Sequence, residues 1–260
     1  MLYSADLSKS NVFAYIIGDK VGFFMKKASS LLCILFLLTG CLYPEERLKE
    51  NKVPYEAQLN AVQTAVDQFR EDKEGIVPIK TRDMKTPLYQ KYPIDFNKLI
   101  PAYLEDVPGN SYEAGGVYSY VLVSPEEDPT VKLIDVSVPQ KIHDIHIRLD
   151  AYRQKHGSPP YAQEAGGGFY TLDYKKLGYE HKITVQSPYS GQTLPVLVNG
   201  KAELFVDYSE DLYRALQKTE KSYKKGDDIR EVLVENSPFV PVFSPSYTVN
   251  DKGEPLILQN

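Results

Sequence analysis

The sequence predicts an α+β fold: two copies of a helix plus β-hairpin unit, then a C-terminal segment of helices and extended chain. Three observations lead there. Apolar residues recur at helical spacing in two separate stretches, around residues 59–69 and 142–152. Each stretch is followed by an Asp-aromatic-x-Lys-Leu pentapeptide, Asp95 to Leu99 and Asp173 to Leu177. Each pentapeptide is followed by two runs of alternating, β-branched and aromatic residues.

Taken in order, the first helix is predicted over about Tyr55 to Lys73, with Leu59, Val62, Val66 and Phe69 on one face and Gly75 and Pro78 as stops. A proline-punctuated linker leads to the first pentapeptide and a short helical turn. "VYSYVLVS" and "TVKLIDVSV" (130–138) then read as strands, joined through Pro125 and Pro129. The second helix is predicted over about Gln140 to Lys155, with Ile142, Ile145, Leu149 and Tyr152 inward and Gly157-Ser-Pro-Pro as its stop. "TLPVLVNGKAELFVDYS" (193–209) carries an Asn-Gly turn between two strand-like runs, a strong hairpin signal. "LDAYRQKHG" at 149–157 parallels "VDQFREDKEG" at 66–75. The units are therefore placed at residues 55–138 and 139–208. Residues 209–260 complete the chain, with helices over 210–221 and 227–234, a proline-spaced extended run after Pro238, and a last hairpin through Asn250 to Gly253.

Ahead of these units lies "MKKASSLLCILFLLTGC" (25–41). Two lysines precede 13 uncharged residues from Ala28 to Gly40. A spanning helix needs roughly 20 apolar residues, so the stretch reads as a secretory signal peptide. Its end, Leu38-Thr39-Gly40-Cys41, resembles the lipobox of bacterial lipoproteins, a Leu, two small residues and a Cys. The resemblance implies that the Cys41 thiol takes a diacylglyceryl group and that the peptide is cut between Gly40 and Cys41. Residues 25–40 are then the signal peptide and 41–54 a lipidated tether. Asp6 and Asp19 sit where signal peptides carry no acid, so residues 1–24 are expected to be a mis-assigned gene start, with translation beginning at Met25.

Removing residues 1–40 leaves 26 basic and 33 acidic residues among 220. This acidic balance excludes nucleic acid and an anionic lipid surface as electrostatic partners. The expected membrane contact is the lipid anchor alone, on the outer face of the cell membrane. Cys33 leaves with the signal peptide, so Cys41 is the one thiol of the mature chain. That removes disulfides, cysteine nucleophiles and thiolate metal sites from consideration.

One cluster fits a metal. His143, His146 and Asp150 stand three and four residues apart on the second helix, where three ligands share one flank. The competing reading is a solvated helix shoulder. "EAGGVY" (113–118) and "EAGGGFY" (164–170) lead into strand-like residues and lack a following lysine, so they read as turns rather than phosphate loops. No cofactor is expected and no catalytic residue is assigned. The decapeptide Leu99 to Pro108, with its Pro-x-Tyr-Leu core, resembles the soluble part of type II secretion pseudopilins, which also run from a helix into a small sheet. The chain as a whole is similar to uncharacterised Gram-positive cell-surface lipoproteins. Three functions remain open: a binding or envelope-assembly module for an unknown envelope protein or small ligand, a solute-binding component of an ABC transporter, and an envelope hydrolase. The balance of motifs favours binding over catalysis.

Overall fold

The computed structural model describes residues 55–258, and the signal and lipobox residues lie outside them. The fold is α+β. Helix α1 (Tyr55–Asp72) turns Val62, Ala65, Val66 and Phe69 inward. It stops where the Gly75 N–H bonds the Arg70 carbonyl, with Gly75 at φ +93°. Helix α2 (Phe96–Leu99) is a single turn whose first residues are capped by the Asp95 carboxylate, which accepts the Asn97 N–H. Strands β1 (Tyr118–Val123) and β2 (Thr130–Asp135) form an antiparallel hairpin. Helix α3 (Ser137–His156) follows at once.

The sequence had placed the end of the second strand at residue 138. The break comes earlier because Asp135 Oδ1 accepts the Ser137 N–H, which turns the chain into a helix. From Val138 onward the buried positions follow helical spacing through Ile142, Ile145 and Leu149. The first unit thus closes before Ser137.

The second unit contains more β-structure than its glycine-rich sequence announced. Strands β3 (Tyr161–Gly166) and β4 (Phe169–Leu172) form a hairpin at the "EAGGGFY" run. Strand β5 (Thr184–Gln186) is short, and β6 (Thr193–Asn199) and β7 (Leu204–Val206) form the hairpin at Asn199-Gly200. β6 is the hub, pairing with β4, β5 and β7, all antiparallel. Helices α4 (Ser209–Leu216) and α5 (Glu231–Glu235) are shorter than the sequence suggested, and β8 (Tyr247–Val249) with β9 (Pro255–Ile257) makes the last hairpin.

The two units share pairing as well as order. In the first, Ile79 pairs with Ile94 and Pro93 with Val121; in the second, Tyr161 pairs with Leu172 and Thr171 with Leu197. Asp95 N–H bonds Pro78 O, and Asp173 N–H bonds Pro160 O, both at 2.8 Å. Tyr120 lies opposite Leu133 as Val196 lies opposite Val206. The pentapeptides sit at the same corner in each.

The β1–β2 hairpin is covered on both faces. Tyr120, Leu122, Val131 and Leu133 pack with α1 in a smaller core. Val121 and Ile134, pointing the other way, join the larger core with α3 and the sheet around β6. Its edges are covered too: Ile94 N–H bonds Tyr120 O along β1, and Leu133 N–H bonds Pro238 O along β2. The prolines of the C-terminal run therefore lie at an edge, where a missing N–H costs no ladder bond. Lys132 reaches across to donate to Val234 O and Ser237 O, both at 2.7 Å, closing the C-terminal end of α5.

Candidate binding cavity

The second face of β1–β2 does not pack completely against the larger core. It leaves an open cavity of about 360 Å³ at the seam between the units. This is at the lower end of the range for small-molecule sites. Val121 and Ile134 form its floor, with Val136 and Val242 beside them. Ser119, Gln140 and Gln90 supply hydrogen-bonding groups to the wall. Arg82, Tyr112 and His143, all exposed, stand at the open side.

Each wall has a local cause. Gln90 closes a 3₁₀ turn, Leu88–Gln90, in the loop that precedes Tyr92. The same turn buries Tyr89 in the larger core, and burial pushes its hydroxyl up to about 12 although Arg230 opposes the rise. The buried Gln90 Nε2 has no hydrogen-bond partner in the protein, a state that costs about 1–3 kcal/mol for a neutral group. Phe243 completes the wall at φ +57°, a conformation that bulky L-residues seldom adopt. It is held there by Val206 N–H, which bonds Phe243 O at 2.8 Å. An unpartnered amide and a strained backbone on one cavity mark a place where packing is not the governing demand.

A second recess is lined by Pro188, Tyr189, Ser190, Asp211 and Arg214 and by residues 236–239 of the C-terminal segment. Asp211, buried on the first turn of α4, accepts Ser187 Oγ at 2.7 Å and Ser190 Oγ at 2.6 Å. Burial raises its carboxyl above the usual value, and the two serine bonds only partly offset this. Ser187 Oγ also accepts the Tyr189 and Ser190 N–H groups. The cluster ties the "SPYSG" turn to α4. Hydroxyls that donate to a buried carboxylate with no histidine lining the recess lack the base that activates a serine nucleophile.

The expected metal ligands do not gather. His146 Nε2 lies 3.2 Å from Asp150 Oδ2, and Arg153 pairs with the same carboxylate at 3.4 Å; His146 is exposed and the other two are part-buried. His143 is seven residues from Asp150, about 10 Å along a helix, and lines the cavity instead. Among the described residues, no three His, Cys, Asp or Glu side chains are arranged to hold a metal ion. Leu38, Thr39, Gly40 and Cys41 lie outside the described residues. The sequence reading missed Arg82, Gln90 and Phe243. The signal available for Arg82 was the high content of bases in residues 80–91, where Lys80, Arg82, Lys85 and Lys91 outnumber one acid, Asp83; Gln90 and Phe243 had none.

Fold and site together define a two-unit α+β protein with an apolar cavity at its seam and Arg82 at the cavity's open side. Residues 55–135 match the YphF family N-terminal domain, a span that ends where β2 ends. No curated protein and no solved structure matches the chain.

Proposed function

We propose that the chain is an extracytoplasmic binding protein, held to the outer face of the membrane by a lipid on Cys41 and using the seam cavity to take up a small ligand. The observation that carries the binding half is the cavity itself: an apolar floor of Val121 and Ile134 with few polar groups on its wall. The anchor half is carried by Leu38-Thr39-Gly40-Cys41 at the end of the 13-residue uncharged stretch. A diacyl anchor holds firmly where one acyl chain is marginal. Solute binding of the two-lobed transporter kind has less support, because every named strand pair among the described residues is antiparallel and such lobes are built on parallel βαβ sheets. The test of the anchor is mass spectrometry of protein from the native membrane. Its N-terminal peptide is expected to begin at Cys41 with a diacylglyceryl addition that Cys41→Ser abolishes; a free Cys41 thiol overturns it.

A further inference from the structure

Arg82 is the one charged side chain on the cavity wall, with His143 beside it, and among the described residues no Asp or Glu lines it. Of the acids next to lining residues in sequence, Glu113 pairs with Lys80 at 3.2 Å and Asp83 accepts the Lys85 N–H at 2.7 Å, while Asp144 is exposed beside His143. The first turn of the 20-residue helix α3, with Val136, Pro139 and Gln140 on the wall, adds the positive end of its dipole. Asp135, which accepts the Ser137 N–H, offsets part of that field. The floor is purely aliphatic. At about 30 Å³ per water-sized atom group, 360 Å³ holds roughly a dozen non-hydrogen atoms.

We propose that the cavity binds a small anionic amphiphile, a monocarboxylic acid of about a dozen non-hydrogen atoms. Its apolar body lies on Val121 and Ile134, and its carboxylate meets Arg82 and His143 at the mouth. A guanidinium suits this role because it matches the planar carboxylate with paired donors. The inference rests on the reading of the cavity as the binding site, and it names the ligand class for that site.

Decanoate and 1-decanol are the probes, titrated calorimetrically into the full chain carrying Cys41→Ser. Decanoate is expected to bind one to one. Decanol, and decanoate with Arg82→Gln, are each expected to bind about fivefold more weakly, the worth of one semi-exposed charge contact. Ser119→Phe, which fills the cavity from β1, is expected to abolish binding, with the thermal transition confirming a folded chain. Equal binding of the two probes, unaltered by Arg82→Gln, overturns the anionic class while leaving a binding cavity. Binding that survives Ser119→Phe overturns the location. No binding of either probe to the folded protein overturns both the ligand class and the cavity reading, and leaves the lipid anchor untouched.

Discussion

The two units are built on one plan, and they differ where the cavity is. Between the paired residues Tyr161 and Leu172 the second unit runs a hairpin closed by Gly166-Gly167-Gly168. Between the corresponding Ile79 and Ile94 the first unit has four more residues, and past the Lys80 N–H bond to Pro93 O at 2.9 Å they form no hairpin. That freed loop places Arg82 at the cavity mouth, Gln90 in its wall and Tyr89 in the larger core. The second unit spends the equivalent residues on sheet. Register and corner turns are what the two units share, and the cavity is lined by a loop in which they differ.

The largest difference expected between the units is at one glycine. Gly116 precedes β1 so closely that a Cβ there would sit on the Asn110 backbone. Asn110 cannot yield, because its carbonyl takes the Tyr118 N–H at 3.1 Å and its Oδ1 takes the buried Tyr120 hydroxyl at 2.6 Å. The matching position of the second unit is Gln192, which is exposed and whose carbonyl takes the Ser187 N–H. Gly116→Ala is expected to cost about 3 kcal/mol. Gln192→Ala is expected to stay within about 0.5 kcal/mol. Urea unfolding followed by circular dichroism measures both, and equal costs would break the contrast drawn between the two positions.

A smaller contrast sits on the hairpins. Lys132 lies opposite Val121 as Phe205 lies opposite Leu197. Phe205 packs edge-on against Phe169 at 5.0 Å within its own sheet. Lys132 instead crosses to the C-terminal segment, and burial lowers its ammonium below the usual value. Lys132→Met keeps the stem but leaves the Val234 and Ser237 carbonyls without their donor. A loss of about 2 kcal/mol is expected in the same unfolding assay. A neutral result would mean that water replaces the ammonium and that the hairpin does not depend on the C-terminal segment.

The fold was legible where one period governed a stretch. The α1 stripe of Val62, Val66 and Phe69, the Asn199-Gly200 turn and the β8–β9 hairpin all follow local rules, and so does the recurrence of the pentapeptide. The β3–β4 hairpin was not, because Tyr161 to Gly166 is mostly exposed and carries no alternation to read. The shortness of α4 was not legible either, since Lys218 to Lys221 suit a helix in isolation. The cavity is harder still. Arg82, His143 and Phe243 are far apart in sequence and converge only through the seam, which no local pattern encodes. The His–His–Asp cluster shows the opposite limit: spacing placed His143, His146 and Asp150 on one flank, but His143 lines the cavity while His146 pairs with Asp150.

The smallest expected difference is one of sign, and it concerns two buried serines that occupy the same turn. Ser111 donates to Glu113 Oε2, while Ser187 donates to Asp211. Burial raises both carboxyls. For Glu113 the bonds from Ser111, its own backbone N–H and Lys80 outweigh burial and hold it below 4.5; for Asp211 burial outweighs the two serines and holds it above 3.8. A carboxyl lowered by folding adds stability that is present above its unfolded value and is lost as pH falls through the folded one. A carboxyl raised by folding does the reverse: its contribution is most favourable below the unfolded value and declines as pH rises through the folded one. The stability advantage of wild type over Glu113→Gln should therefore grow from about pH 3 to about pH 6, while its advantage over Asp211→Asn should shrink. Glu113 is partly solvent-exposed, so its trend is on the order of tenths of a kcal/mol. Urea unfolding at stepped pH reads both slopes. Slopes of the same sign would mean that the two serine turns share one electrostatic environment, and that the units diverged in their loops alone.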